Sequence, residues 1–134
     1  ILLAGNFSSE VEAFLRALKI NYTKIFPKKK IDRKYIKNFK ELIQKQQIDL
    51  VHFVDGKSAR SGLIAIKNTP VKSVIYFGSG SLHWYDPSSY LTYLHPSIDA
   101  IICNSNFVYK HVRNQLFGKQ KDRAVQIYKG YNPS

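Results

Sequence analysis

The sequence predicts an α/β fold: a Rossmann-like parallel sheet with helices on both faces. Two observations support this fold class. Apolar runs of strand length alternate with segments whose apolar residues recur every three or four positions, as expected when strands alternate with amphipathic helices. The runs from Ile48 onward are apolar almost throughout, which is typical of strands that are buried on both faces. At 134 residues, the chain has the length of one compact domain.

The first third of the chain predicts two strands, each followed by a helix. Residues 1–4 form a short apolar run, and Ser9-x-x-Glu12 then predicts a capping box at the start of a helix. The apolar face of that helix comprises Val11, Phe14, Leu15 and Leu18. A second strand, over residues 22–26, ends at a proline and a run of lysines, after which Asp32 caps a second helix.

The remainder of the chain continues this alternation. Strands are predicted over residues 48–54, 71–77, 100–103 and 124–128. Between them lie a helix over 58–67, a Gly/Ser-rich loop over 78–82, a short helix that begins at Asp86 and Pro87, and a longer helix that Ser105 caps and Gly118 ends.

Positive charge is concentrated in one part of the chain. Of the formal net charge of +12, residues 24–45 contribute +7, from nine basic and two acidic residues. The apolar residues of the second helix, which lie opposite its basic residues, are Ile36, Phe39, Leu42 and Ile43. Such a cluster is either a solvated helix face or a surface that attracts phosphates or an anionic membrane. The residues predicted to contact a membrane are Lys28, Lys29, Lys30, Arg33, Lys34, Lys37 and Lys40.

Polar residues follow most of the predicted strands from residue 48 onward. In open parallel sheets, ligands bind beyond the carboxyl ends of the strands, so these residues are candidates because they share one edge, although each alone could be a cap or a turn. The segment 55–58 is suited to hold an anion or sugar hydroxyls at a helix start. The candidates are Asp55, Gly56, Lys57, Ser58, Arg60, Ser79, Gly80, Ser81, His83 and Ser105, with Lys129, Gly130 and Asn132 after the last strand.

Several classes of site and protein are not supported. The segment 55–58 lacks the earlier glycine of a P-loop, and Gly5 stands alone where a dinucleotide-binding motif needs three glycines. Four dispersed histidines and one cysteine show no metal-ligand spacing, so no metal site is predicted. Among the histidines, His83 is the candidate for acid–base work, and His52 is predicted to be structural. No apolar run approaches the roughly 20 residues of a membrane span, and the lone Cys103 favours a cytoplasmic location.

Three groups of motifs resemble a known family. They are Ile48-Asp49-Leu50-Val51-His52 with Asp55-Gly56-Lys57-Ser58-Ala59, Ser89-Tyr90-Leu91-Thr92-Tyr93-Leu94-His95-Pro96 with Ile98-Asp99-Ala100-Ile101-Ile102-Cys103, and Ile127-Tyr128-Lys129-Gly130. With them, the chain from residue 29 to 132 resembles the N-terminal domain of family 4 retaining glycosyltransferases, often involved in cell wall or lipopolysaccharide biosynthesis.

The resemblance implies one half of a GT-B fold. Residues 1–134 would form the acceptor-side domain, truncated so that the first strand of the family is missing, and the candidate residues at the sheet edge would bind the acceptor. The absent C-terminal domain would bind most of the nucleotide-sugar donor, with no other cofactor. The whole enzyme, of hexosyltransferase type, would transfer a sugar to a cell-envelope glycan or lipid-linked acceptor at the inner face of the cell membrane. The fragment alone would be inactive.

The sequence departs from the family pattern at two strand ends. Many relatives carry a histidine after the strand that matches residues 71–77, whereas this chain has Phe77-Gly78-Ser79. Relatives often show Val-Ser-Glu after the fifth strand, whereas this chain has Asn104-Ser105-Asn106, which keeps only the serine. The resemblance therefore transfers no catalytic residue to these positions.

Two alternatives belong to other functional classes. The basic charge is compatible with a nucleic-acid-binding module, but the aromatic residues are not interleaved with the basic cluster, which makes nucleic acid an unlikely partner. A non-catalytic α/β domain that binds an anionic ligand at the strand ends is the other alternative. A steep dependence of oligonucleotide affinity on salt would favour the first.

Overall fold

A computed structural model describes residues 1–79 and 81–128. Strands and helices alternate throughout this part of the chain, as predicted. The strands are β1 (Leu2–Ala4), β2 (Asn21–Thr23), β3 (Leu50–Phe53), β4 (Lys72–Phe77), β5 (Ala100–Cys103) and β6 (Ala124–Gln126). The α-helices are α1 (Ser9–Ala17), α2 (Arg33–Gln46), α3 (Gly56–Ile66) and α4 (Asn106–Gln115), and 3-10 helices cover Pro87–Leu91 and Gly118–Arg123.

Every strand pairing is parallel, but the described strands form two sheets. The order of the larger sheet is β3-β4-β5-β6, and β1 pairs with β2 in a separate two-stranded sheet. The registers place Ile75 opposite Phe53 on one side and Ile101 on the other. The α/β Rossmann-like class is therefore confirmed.

A gap, here called the slot, separates the two sheets. Its walls are the unpaired edges of β1 and β3, and two cavities of about 390 and 980 Å³ occupy it. The residues that line both cavities include Leu2, Leu50, His52 and Val54. His52 is thus exposed at an edge. The prediction that the strands from Ile48 onward are buried on both faces is wrong for β3 and β6. The outer edge and one face of β3 border the slot, and Val125 of β6 is exposed.

The main core lies between the larger sheet and the helices that cover it. Leu63 of α3, Ile75, Ile101 and Val112 of α4 are fully buried. Helix α2 packs on α3 through Tyr35, Phe39 and Ile43, while its basic residues stay exposed. The predicted division of α2 into an apolar and a basic side is therefore confirmed, and Tyr35 is an additional core residue.

Helix α1 differs from the prediction in its cap and in its apolar face. Ser8, not Ser9, is the N-cap, since the Ser8 hydroxyl accepts a hydrogen bond from the Val11 amide. Glu12 forms ion pairs with Lys24 and Arg16 instead of reaching back to the cap. Of the four predicted apolar residues only Leu15 is buried, because α1 contacts little beyond β2.

The later helices begin at the capping residues that the sequence predicts. Asp32, Asp86 and Ser105 each accept a hydrogen bond from a backbone N–H of the helix that they precede, as predicted. Gly118 does not end α4, which stops at Gln115; it adopts a left-handed φ of 56° and opens the following 3-10 helix. Local capping chemistry thus located helix starts better than helix ends.

Candidate functional site

A basic pocket lies at the N-terminus of α3. Four of its lining residues are cationic, namely Lys28, Lys30, Lys57 and Arg60, and none is acidic. Two of these belong to the lysine run before α2 and two to α3, so the pocket joins segments about 30 residues apart. Its volume of about 550 Å³ lies in the range of small-ligand sites, roughly 300–1,000 Å³. The arrangement is suited to bind an anionic group.

Hydrogen bonds hold the lysine run against α3. The Asp32 Oδ2 atom accepts a bond from the Lys28 amide at 2.9 Å, and the Asp32 amide donates to the Ser61 hydroxyl at 3.2 Å. That hydroxyl in turn donates to the Lys30 carbonyl. Ser61 is fully buried, so these bonds anchor an exposed basic loop to the core. Lys28 and Lys30 reach the pocket for this reason.

Asp55 is the N-cap of α3 and fixes the position of the backbone amides in the first turn of this helix. Its Oδ1 atom accepts a hydrogen bond from the Ser58 amide at 2.8 Å. The preceding amides, of Gly56 and Lys57, belong to the first helical turn, whose N–H groups have no partner within the helix. The partial positive charge of the helix terminus adds to that of the four cations.

The third wall of the pocket comes from the segment after the 3-10 helix Pro87–Leu91. Tyr93 packs edge-on against Phe77 at the end of β4, with ring centroids 4.6 Å apart. A Cβ atom on Gly56 would lie 3.6 Å from the Tyr93 hydroxyl and 3.8 Å from the Thr92 methyl carbon. Burial, and then the negative charge of Asp55, raise the pKa of Tyr93. Its hydroxyl therefore remains a hydrogen-bond donor at neutral pH.

Arg60 is the one cation of the pocket that is partly buried. Its Nε atom is inaccessible to solvent and has no hydrogen-bond partner among the residues that the structure describes. A buried N–H group of this kind normally has a partner. Arg60 therefore combines a charged group that lines the pocket with an N–H whose hydrogen-bonding capacity the described residues leave unused.

The predicted site residues do not form one cluster. Gly56, Lys57 and Arg60 line the basic pocket, whereas Asp55 and Ser58 line the carboxyl end of the slot. The Ser105 hydroxyl accepts a bond from the Val108 amide and caps α4. Gly80, Lys129, Gly130 and Asn132 lie outside the described residues. Sequence reasoning missed Thr92 and Tyr93 as lining residues, although both lie in a motif of the family resemblance.

His83 belongs to a separate aromatic cluster beside α4. Its ring stacks on Tyr85 at 5.0 Å and meets His111 edge-on at 5.9 Å. Trp84 continues the cluster toward Phe117, and the hydroxyls of Ser79 and Ser81, in the adjoining loop, lie 2.9 Å apart. His83 does not line the basic pocket. A role in acid–base chemistry for His83 stays a prediction.

The residues predicted to contact a membrane divide into two groups. Lys28 and Lys30 line the basic pocket. The other five, Lys29, Arg33, Lys34, Lys37 and Lys40, are exposed outside the pocket, the last four of them on α2. Among residues 1–79 and 81–128, no helix has the length and apolar character needed to cross a membrane. In the same residues, no group of three or more His, Cys, Asp or Glu side chains is arranged to hold a metal ion.

Comparisons with known proteins give a consistent result. The model of a family described as Glycosyltransferase Family 4 matches residues 2–134. The structure titled "Crystal Structure of Glycosyltransferase from Rickettsia africae ESF-5" is similar in fold, with a TM-score of 0.73 and 22% sequence identity. The similarity covers 98% of this chain and 35% of that one, so the chain spans about a third of its length. No curated protein matches the chain.

Proposed function

Because the chain belongs to glycosyltransferase family 4, we propose that it is the N-terminal, acceptor-binding domain of an enzyme that transfers a sugar from a nucleotide-sugar donor. The acceptor would be a cell-envelope glycan or a lipid-linked saccharide, and the sugar a hexose. A second domain would bind most of the donor, with no other cofactor. The chain by itself would bind acceptor without transferring sugar.

The basic pocket is the observation that carries this proposal. It lies beyond the carboxyl ends of β3 and β4, where open parallel sheets bind their ligands. Its walls combine Lys57 and Arg60 of α3 with Thr92 and with Tyr93, which contributes a hydroxyl group. Cations suit an anionic part of an acceptor, and hydroxyl groups suit the hydroxyls of a sugar.

The proposal is tested by sugar transfer in the longer protein that carries this domain. We expect transfer from a radiolabelled nucleotide-sugar to a cell-envelope extract, and none by the 134-residue chain alone. Lys57→Gln should raise the acceptor KM about tenfold or more. Lys110→Gln, which removes the same charge from an exposed position of α4 outside the pocket, should leave KM unchanged. Equal acceptor KM values for the two variants would contradict acceptor binding at the pocket.

A second proposal concerns membrane contact through the exposed side of α2. Lys34 and Lys40 project there without an acidic neighbour one turn away on either side, whereas Glu41 lies one turn after Lys37. Each basic residue near an anionic surface contributes about 1 kcal/mol of attraction. Binding to phosphatidylserine vesicles should exceed binding to phosphatidylcholine vesicles and fall in the triple Gln variant. Equal binding to both vesicles would exclude this contact. A steep dependence of oligonucleotide affinity on salt would instead favour the nucleic-acid alternative.

A further inference from the structure

We infer that the basic pocket binds a phosphate group of the acceptor, through Lys28, Lys30, Lys57 and Arg60. The inference rests on the proposed function and adds the chemical class of the acceptor: a phosphate ester or diphosphate.

The charge of the pocket is the first argument. Four cations line it without a carboxylate. Neither pair of cations is neutralised by an ion pair with another described residue. Asp55 and Asp32, the nearest carboxylates in sequence, are engaged by backbone amides. An uncharged sugar would leave this concentration of positive charge uncompensated, whereas a phosphate would neutralise it.

The hydrogen-bond donors are the second argument. Arg60 offers a buried Nε–H without a partner in the described part of the chain, and the first turn of α3 offers backbone amides. Tyr93 adds a hydroxyl that stays protonated. A tetrahedral phosphate has three or more acceptor oxygens and can accept from several such donors at once. A carboxylate has only two oxygens and would satisfy fewer of them.

The construction of the pocket is the third argument. Lys28 and Lys30 come from a loop that Asp32 and Ser61 tie to α3, and Lys57 also lies 5.3 Å from the centre of the Phe26 ring. The cations are thus brought together before a ligand binds. Preorganised donors lose less conformational entropy on binding than a flexible lysine run.

Isothermal titration calorimetry of the 134-residue chain with inorganic pyrophosphate tests the inference. We expect saturable binding that weakens about tenfold in Arg60→Gln and in Lys57→Gln. Lys37→Gln and Lys40→Gln, which carry the same charge change outside the pocket, should stay within about twofold of the unsubstituted chain. Lys57 is exposed, so its variant tests the pocket even if Arg60→Gln unfolds. Equal losses in all four variants, or no saturable binding, would overturn the inference.

Two further ligands distinguish the source of the phosphate. A soluble sugar phosphate and vesicles that contain phosphatidic acid are compared in the same variants. Loss of sugar-phosphate binding in Lys57→Gln identifies a soluble ester, and loss of vesicle binding in the same variant identifies a lipid phosphate; either result supports the pocket.

Sugar transfer by the longer protein distinguishes failure of the proposed function from failure of the phosphate inference. If the longer protein transfers sugar to acceptors without phosphate as well as to phosphorylated ones, only the phosphate inference is wrong. If it transfers no sugar although pyrophosphate binds, only the transferase proposal is wrong.

Discussion

Gly62 illustrates how one atom can limit the packing of α3 on its neighbours. A Cβ atom at this position would overlap the ring of Phe53, lying within 2.6 Å of Cζ, and would come within 3.4 Å of Phe39. Gly62→Ala should therefore lower the free energy of unfolding, measured by urea denaturation, by about 1–3 kcal/mol. Gly56→Ala is the control, because its nearest contact would be 3.6 Å away. Equal effects of the two substitutions would show that the close approach to Phe53 is not limiting.

Cys103 makes the stability of the fold sensitive to alkaline pH. Burial raises the pKa of its thiol to about 11, from an ordinary value of 9.0. Between these values the unfolded chain loses the proton and the folded chain keeps it. The free energy of unfolding should therefore fall as pH rises from 9 to 11, by up to about 1.4 kcal/mol per pH unit. Cys103→Ala should make the free energy of unfolding, measured by urea denaturation at each pH, fall less steeply between pH 9 and 11. If the dependence on pH is unchanged, other groups cause the loss of stability.

At the scale of elements, Asp32 joins the cap of α2 to the loop that carries the lysines. Its carboxylate accepts bonds from the Lys28 and Tyr35 amides, which lower the pKa of Asp32 from 3.8. This stabilisation should be present above pH 4 and be lost as pH falls through the lowered pKa. Asp32→Ala should lower the Tm and weaken pyrophosphate binding.

The matched control for this prediction is Ser105→Ala. It removes an equivalent cap, from α4, and should lower the Tm without changing pyrophosphate affinity. If both variants weaken binding equally, the effect of Asp32 comes from general destabilisation and not from the position of the lysine loop.

At the scale of the whole molecule, the slot leaves apolar edges exposed between the two sheets. Leu50 in β3 and Val54 directly after it are 57% and 69% exposed. Apolar patches of this kind bind small apolar molecules. We expect Nile red fluorescence to increase with the folded chain and to fall by about half in Val54→Asp. Val125→Asp on β6, at the far edge of the sheet, is the control. Similar losses in both variants would place the dye elsewhere.

Local signals in the sequence were sufficient for most elements and for part of the site. The caps at Asp32, Asp86 and Ser105 and the extent of β5 follow from interactions between residues within a few positions of each other. Lys57 and Arg60 were predicted as ligand-binding residues because they follow a strand. Ser8 was missed as the cap of α1, because two adjacent serines carry the same local signal.

The sequence by itself determined the α/β class, the order of the elements and the concentration of positive charge, because hydrophobic periodicity and capping act over short distances along the chain. Only the tertiary structure decided which cations meet. Lys28 and Lys30, predicted to face a membrane, join Lys57 and Arg60 because buried Ser61 holds their loop. The division into two sheets was equally beyond the sequence, because strand pairing depends on contacts between distant segments and leaves no periodic pattern.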